Sequence, residues 1–326
     1  MTDPTELLAA YFQLMNCNGA SHVYREAVRL GILDALDAGP LTAAEVAERC
    51  AAVARPTELV LEALASLGLV KRIGSAYGRT PLAFLVLSSS YRNLGDEYWE
   101  HLPTLLKTGA PLVRMDDPAQ NEIHYQAQAA MLGWMLTPAA QSAAELLLKR
   151  LPENAAILDL GAGSAVWSLT LAGRLPRATV TAVDWPAVLE VAKESAKERG
   201  LADRFTTLAG NLHEVELSAS QFDLVIVANV SHLLSPDGNA ALLSRVRATL
   251  RAHGYLALID VFPGLPQGDL NRTLYAVGLA LRTQHGRVYS VEEMKPLLER
   301  AGFAEPQPMP LPVPPFAVGM LLVSVR

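Results

Sequence analysis

Short apolar runs alternate with amphipathic segments over the second half of the chain. The strand-length apolar runs occupy residues 156–160, 180–183, 205–208, 224–227 and 255–259. Segments with helical periodicity lie between them, for example over residues 186–199 and 238–251. This alternation predicts βαβ units and a mainly parallel sheet that is covered by helices on both faces. A sheet of this kind binds its ligands at the carboxyl ends of the strands.

The first 150 residues have a different pattern, which is almost wholly helical. Apolar positions recur at helical spacing over residues 7–15, and the pattern resumes as a second helix over residues 23–36 after Asn18-Gly19. Both helices are apolar on more than one face, which favours burial against another subunit.

A helix, helix, hairpin order follows these first two helices. Thr42 and Glu45 have the spacing of a capping box, so a helix is expected to begin there. The next helix is expected over residues 55–67, with Gly68 ending it, and residues 70–80 are expected to form a hairpin. This is the element order of a winged helix.

Charge argues against DNA binding by this winged-helix-like segment. Its second helix carries Glu58 and Glu62 and has no Lys or Arg after Arg55. The whole chain has 27 Lys and Arg against 33 Asp and Glu, a net charge of −6. Phosphate binding requires the opposite sign. A dimerisation role is therefore favoured, and a regulator that senses a metabolite remains the alternative outside enzymes.

Composition sets the limits of the architecture. The 326 residues have room for two domains, and a hydrophobic content of 51% is enough for a full core. Two cysteines, no signal-like N-terminus and no apolar run of membrane-spanning length lead us to expect a cytoplasmic protein. We expect a dimerisation domain over residues 1–90, linking helices over 91–150 that contribute to a substrate pocket, and a ligand-binding domain over 151–326.

The segment DLGAGSA, which begins at Asp159, leaves the first predicted strand and enters a helix. Gly161 and Gly163 permit a sharp turn close to a ligand, and Asp184 ends the next strand, where a carboxylate can bind ribose hydroxyls. A dinucleotide fingerprint would have a third glycine at the position of Val166, so NAD is disfavoured. An acid two positions before the first glycine suits a ligand with a cationic amino group, and S-adenosylmethionine (SAM) is such a ligand.

Seven short motifs lie in a characteristic order along the chain. They are LTAAE at 41–45, ASLGL at 65–69, DLGAG at 159–163, LPRA at 175–178, VDWPAV at 183–188, YSVEE at 289–293 and LERAGF at 298–303. Together they resemble the class I SAM-dependent methyltransferases, and more specifically the plant-type small-molecule O-methyltransferases with their bacterial natural-product and carotenoid-pathway members. The resemblance implies a Rossmann-like domain with a seven-stranded sheet, preceded by a winged-helix-like dimerisation domain, in a homodimer that serves secondary metabolism.

The resemblance also implies a cofactor site. The two glycines of the first motif would lie against the methionine part of SAM, and Asp184 would bind its ribose hydroxyls. Trp185 would stack on the adenine, and Asn211 and Leu212 would stand beside it. The oxygen of an asparagine side chain can accept a hydrogen bond from the adenine amino group.

His232 aligns with the general base of the family, and Asp260 aligns with the acid that orients it. A phenol with a pKa near 10 reacts faster when a base with a pKa near 6.5 removes its proton. The remaining acceleration should come from holding oxygen, methyl and sulfur in line. The predicted reaction is methyl transfer to a hydroxyl of an aromatic or polyketide-like molecule.

The helices between residues 93 and 150 are expected to cover the acceptor pocket. The candidate acceptor-binding residues are Tyr98, Trp99, His124, Met131, Trp134, Met135 and Arg282. No acidic cluster has the spacing of a metal-dependent catechol enzyme, so no metal is assumed.

The sequence departs from the family pattern at three places. His232 is followed by Leu233-Leu234, where the family usually has Asp and Trp, and Ala228 stands where a basic residue is usual. Ala165 occupies the third glycine position of the first motif. These departures leave open a C- or N-methyltransferase, or a SAM-binding enzyme that carries out another reaction.

Overall fold

In the computed structural model, which describes residues 3–88, 94–262, 269–311 and 318–326, the chain divides into two units, Met1–Glu97 and Tyr98–Arg326. The side chains of residues 118–121, 123, 124, 127 and 269 are outside this description. Each unit has its own hydrophobic core.

The first unit consists of helices and a small antiparallel sheet with the strand order β1-β3-β2. Its core contains the fully buried side chains of Leu33, Leu61 and Leu64. The helices are α1 (Pro4–Arg29), α2 (Ile32–Ala35), α3 (Ala43–Arg49), α4 (Ala54–Ser66) and α5 (Pro81–Ser88), and the strands are β1 (Leu41–Thr42), β2 (Val70–Ile73) and β3 (Ala76–Arg79).

The predicted break after Asn18-Gly19 is wrong, because α1 continues through both residues. A glycine inside a helix costs only about 1 kcal/mol relative to alanine, which is too little to end a long helix. The helix ends near Gly31, whose φ of 73° is left-handed. The predicted capping box is confirmed, since Thr42 accepts from the Glu45 backbone and Glu45 accepts from the Thr42 backbone.

The second unit alternates strands with helices. Its helices are α7 (Leu102–Thr108), α8 (Pro118–Leu147), α9 (Val166–Ala172), α10 (Pro186–Glu198), α11 (Pro236–Thr249), α12 (Asp269–Arg282) and α13 (Val291–Arg300), preceded by α6 (Asp96–Glu100), which begins in the first unit. Its strands are β4 (Ala156–Leu160), β5 (Thr179–Asp184), β6 (Phe205–Ala209), β7 (Phe222–Ala228), β8 (Leu250–Asp260), β9 (Gln307–Pro310) and β10 (Gly319–Ser324).

Seven strands form one mainly parallel sheet, as predicted. The strand order is β6-β5-β4-β7-β8-β10-β9, and the pairs from β6 to β8 are parallel, whereas β10 is antiparallel to both of its neighbours. Consecutive residues of β4 pack into different cores, Ile157 into one and Leu158 into the other. The sheet is therefore buried on both faces, which explains why its strands are apolar runs without alternation.

Within the described ranges, no helix is both long enough and apolar enough to span a membrane.

Candidate active site

A cavity of about 210 Å³ lies at the edge of the sheet where the parallel strands end. Its walls are the turns that follow β4, β5, β6 and β7, together with one face of α8. This is the position at which open parallel sheets bind ligands.

The turn after β4 is tightly folded. Gly161 and Gly163 both have left-handed φ angles, 71° and 57°. The backbone N–H groups of Gly161 and Ala162 both donate to the carbonyl of Val183, at 2.9 and 3.1 Å. A Cβ added to Gly161 would lie 2.5 Å from Val230 Cγ2, so this position has no room for a side chain.

Ala165 adopts the conformation that the third glycine of the motif would supply. Its φ is 56°, and it is the N-cap of α9. A left-handed conformation costs a non-glycine residue about 1 to 2 kcal/mol. The surrounding structure therefore enforces the turn even without the glycine.

Asp184 lies at the end of β5 and faces the cavity. Its Oδ2 accepts from the Gly163 N–H at 2.8 Å and its Oδ1 from the Trp185 N–H at 2.7 Å. Burial raises the pKa of Asp184, and these two hydrogen bonds oppose the rise. Each carboxylate oxygen has a further lone pair that can accept from a hydroxyl.

The turn after β6 contributes Asn211, Leu212 and His213 to the cavity wall. Asn211 Oδ1 accepts from the His213 N–H at 3.0 Å, so part of this side chain is used to shape its own turn. Burial, together with the charge of Arg245, lowers the pKa of His213. Among the described residues that line the cavity, Asp116 and Asp184 are acidic and none is Lys or Arg, so this part of the wall is electronegative.

His232 and Asp260 form a buried pair beside this cavity. His232 lies in a short 3₁₀ turn after β7, and its Nδ1 is 2.8 Å from Asp260 Oδ1. Asp260 also accepts from the Ser231 hydroxyl at 2.6 Å, from the His232 N–H at 3.1 Å and from the Val261 N–H at 2.8 Å. Burial alone would raise the pKa of Asp260, but the imidazole and these hydrogen bonds hold it below its usual value.

Comparison with known protein families shows to which family the chain belongs. Residues 118–304 match the O-methyltransferase domain, and residues 12–89 match the O-methyltransferase dimerisation domain. The chain belongs to the O-methyltransferase family. This family uses SAM, so the chain is a SAM-dependent methyltransferase.

Individual relatives of this methyltransferase cover most of its length. Mouse acetylserotonin O-methyltransferase is 31% identical over 87% of this chain and 81% of its own. N,N-dimethyltransferase OxyT of Streptomyces rimosus is 25% identical over 92% of each chain. The crystal structure of human N-acetylserotonin methyltransferase in complex with SAM superimposes with a TM-score of 0.72 at 23% identity, covering 99% of this chain and 98% of that one.

Six of the seven residues predicted to bind the cofactor lie together in the wall of the methyltransferase cavity. They are Gly161, Gly163, Asp184, Trp185, Asn211 and Leu212. The seventh, Asp159, is not among the lining residues: it is buried, its Oδ2 accepts from the Ser168 hydroxyl, and its Oδ1 has no partner among the described residues.

Six of the seven residues predicted to bind the acceptor are not among the described residues that line this cavity: Tyr98, Trp99, Met131, Trp134, Met135 and Arg282. Trp134 is 61% exposed and Trp99 is 38% exposed, whereas Met131 and Met135 are half-buried. The guanidinium of Arg282 lies 5.9 Å from the ring centroid of Tyr98. The side chain of His124 falls outside the described residues.

Helix α8 nevertheless lines the cavity, through another of its faces. The residues involved are Tyr125, Ala129, Leu132, Gly133 and Leu136. A Cβ on Gly133 would clash with the Ser164 side chain. The small residues Ala129 and Gly133, four positions apart, were the sequence signal for this close contact with the glycine turn.

Two further polar residues near the site had no recognisable sequence signal. Asp116 lines the cavity, and its carboxylate accepts from the N–H groups of Gln284 and His285 at 2.9 and 2.7 Å. Tyr275 on α12 places its hydroxyl 3.2 Å from His232 Nε2. Over the described ranges, no cluster of three or more His, Cys, Asp or Glu side chains could hold a metal ion.

Replacing Gly161 with alanine should weaken SAM binding about tenfold or more, because the new Cβ overlaps Val230 and the residue has a left-handed φ. Titration calorimetry with SAM measures this change, with NAD as the parallel ligand. Gly200→Ala is the matched control, since Gly200 also has a left-handed φ, 67°, but has no neighbour within 4 Å of its added Cβ. Equal SAM affinity in both variants would contradict the close approach at Gly161.

Stability should depend on pH through Asp159. Burial raises the pKa of Asp159 to about 7 from 3.8, despite the hydrogen bond from Ser168. The folded state thus keeps a proton that the unfolded chain has lost between about pH 4 and pH 7, so the free energy of unfolding falls by a few kcal/mol as the pH rises through this window.

Asp159→Asn should flatten this pH dependence in SAM-free protein, because an amide does not titrate. Urea unfolding at several pH values provides the measurement. Glu190→Gln on the exposed face of α10 serves as the control and should keep the wild-type slope. The same slope in Asp159→Asn and wild type would refute the assignment.

Proposed function

We propose that the protein transfers the methyl group of SAM to a hydroxyl of an aromatic or polyketide-like small molecule, with His232 as the general base. The observation that carries this proposal is the 2.8 Å contact between His232 Nδ1 and Asp260 Oδ1. A carboxylate at Nδ1 holds the proton on that nitrogen and leaves the lone pair on Nε2. Nε2 is therefore the atom that would accept the acceptor's proton.

Asp260 is suited to orient and stabilise the base. Its pKa is held below the usual value, so the carboxylate is ionised in the range where the enzyme works. An ionised carboxylate stabilises the imidazolium that forms when Nε2 gains a proton. Asp260 itself is fixed by the Ser231 hydroxyl and the Val261 N–H, so the imidazole ring has one orientation.

SAM supplies a methyl group bound to a positively charged sulfur, and the cavity has the groups to hold such a molecule. Asp184 has lone pairs for the ribose hydroxyls, and Trp185, Asn211 and Leu212 form the proposed adenine site. The close glycine turn would contact the methionine part. The absence of Lys and Arg from the cavity-lining residues favours a cationic ligand.

The acceptor end of the cavity is apolar. Leu132 and Leu136 come from α8, and Leu233 and Leu234 follow the proposed base. These side chains fit an aromatic or polyketide-like ring and would exclude water from the reacting atoms. The leucines thus give a physical reason for the departure from the family's Asp and Trp at these two positions.

The second candidate is N-methylation, which the similarity to OxyT favours, and C-methylation is the remaining alternative for the same site. The position of the new methyl group on the product, determined by NMR, separates the three reactions. Screening should begin with phenols, naphthols and 5-hydroxyindoles.

His232→Ala should lower the turnover of the best acceptor by about two to four orders of magnitude while SAM binding is retained. Single-turnover kinetics and calorimetry measure the two effects separately. His253→Ala is the matched control, because His253 is exposed near the opposite end of the sheet, in the first part of β8. Wild-type turnover in His232→Ala would remove the base from the mechanism.

We also propose that the protein is a homodimer assembled through its first unit, whose sequence matches the dimerisation domain. Six large apolar side chains on α1 are exposed within a single chain. They are Leu7, Leu8, Tyr11, Phe12, Leu14 and Met15. An apolar area of this size on one helix is typical of a surface that a second subunit covers.

Leu14→Glu should weaken the dimer at least about tenfold, because a carboxylate would be buried without a partner. Analytical ultracentrifugation over a concentration series measures the dissociation constant. Val53→Glu is the control, since Val53 is 69% exposed, close to the 73% of Leu14, but does not belong to α1. Unchanged association in Leu14→Glu would place the interface elsewhere.

A further inference from the structure

Tyr275 contacts the proposed base directly. This residue lies on α12, and its ring packs against the core on one face of the sheet. Its hydroxyl oxygen is 3.2 Å from His232 Nε2 and 3.5 Å from Nδ1. The two rings meet edge to face, with centroids 5.7 Å apart and planes at 81°.

The protonation of the imidazole determines the direction of this contact. In the neutral imidazole that acts as the base, the proton lies on Nδ1, which faces the Asp260 carboxylate, and the lone pair lies on Nε2, so only the phenol of Tyr275 has a proton to donate in this contact. The phenol oxygen is nearly equidistant from both ring nitrogens, and in the ring plane it would overlap Cε1, so it lies over the face of the imidazole and off the axis of the Nε2 lone pair. A second oxygen can therefore approach Nε2 next to the phenol.

We propose that Tyr275 is a catalytic residue that binds the acceptor oxygen together with His232. This inference rests on the proposed function of His232. The acceptor hydroxyl donates to Nε2, and the phenol of Tyr275 turns its hydrogen bond from the imidazole to the acceptor oxygen. The oxygen is thus held between a base that takes its proton and a donor that stabilises its negative charge.

Each proton and electron pair in the methyl transfer can be followed. The acceptor proton passes to Nε2, and the electron pair of the broken O–H bond stays on oxygen, where the Tyr275 hydroxyl stabilises it. The oxygen then forms the bond to the methyl carbon, and the pair of the broken carbon–sulfur bond remains on sulfur. The proton on Nε2 leaves to solvent after the product is released, while Tyr275 keeps its own proton throughout.

The proposal predicts a dependence on acceptor acidity. A donor to the developing oxyanion helps most when the acceptor is a weak acid, because deprotonation then costs the most. Tyr275→Phe keeps the ring and removes only the hydroxyl. For a phenol of ordinary acidity, kcat should fall about 10- to 100-fold with little change in KM, as expected for one hydrogen bond to a charged group. For the ring-fluorinated analogue of the same phenol, the loss should be several-fold smaller.

Tyr289→Phe is the matched control. The Tyr289 hydroxyl is also buried and hydrogen-bonded, but it donates to the carbonyl of Leu234 at 2.6 Å. Removing it should leave the ratio of rates between the two phenols unchanged, even if the variant is less stable. His232→Ala, measured with the same two phenols, tests the proposed role of His232 as the general base.

A binding measurement gives a second readout that does not require turnover. 4-Nitrophenol absorbs strongly only as its phenolate, so its ionisation on the protein can be followed by absorbance in the presence of S-adenosylhomocysteine. The wild-type protein should lower the apparent pKa of bound 4-nitrophenol, and Tyr275→Phe should return it toward the value in free solution.

Three results would overturn the role of Tyr275. They are equal rate losses on both phenols, wild-type kcat in Tyr275→Phe while His232→Ala is inactive, and no stabilisation of the phenolate by the wild-type protein. Full activity in His232→Ala would instead overturn the proposed function of the base.

Discussion

The parallel pairing of β5, β4, β7 and β8 brings the residues that follow these strands to one edge of the sheet. The glycine turn, Asp184, His232 and Asp260 are far apart in the sequence, and no local interaction could bring them together. The register of the strands does so, and burial of both faces of the sheet fixes that register, because a slip would move each apolar side chain to the wrong core. The geometry of the site is therefore a consequence of core packing.

Two buried aspartates on this sheet show what decides the ionisation of an acid in such a core. Asp260 accepts four hydrogen bonds, one of them from an imidazole, and its pKa lies below the usual value. Asp159 accepts hydrogen bonds only from Ser168 among the described residues, chiefly from its hydroxyl, and burial raises the pKa of Asp159 to about 7. Both are fully buried, so the difference comes from the charges and donors that surround each carboxylate: His232 lowers the pKa of Asp260, whereas the charge of Asp184 raises the pKa of Asp159.

The sequence was sufficient for most of the helices and strands, because strands, glycine turns and helix caps have local signals. The strand at residues 156–160 and the cap at Thr42 were predicted at their observed positions. The place of six of the proposed cofactor-binding residues in the cavity wall was also predictable, since they lie at or directly after the ends of strands. The residues of α8 that line the cavity were not predictable, because the face that α8 presents depends on packing against the glycine turn. Aromatic content pointed to Trp134, which is exposed, whereas the α8 residues that line the cavity are Tyr125 and four small or aliphatic residues. Tyr275 meets His232 through tertiary structure alone.

The contact between Gly133 and Ser164 has a consequence for engineering and for evolution. It joins the cavity-lining face of α8 to the turn after β4, with no room for even one added carbon. Tyr125, Leu132 and Leu136 line the cavity from the same helix, so in the proposed function they are the positions of α8 at which a substitution would change the space for the acceptor. Substitutions on this face of α8 can thus change the shape of the cavity. A side chain at position 133 would instead push the whole helix away from the turn after β4.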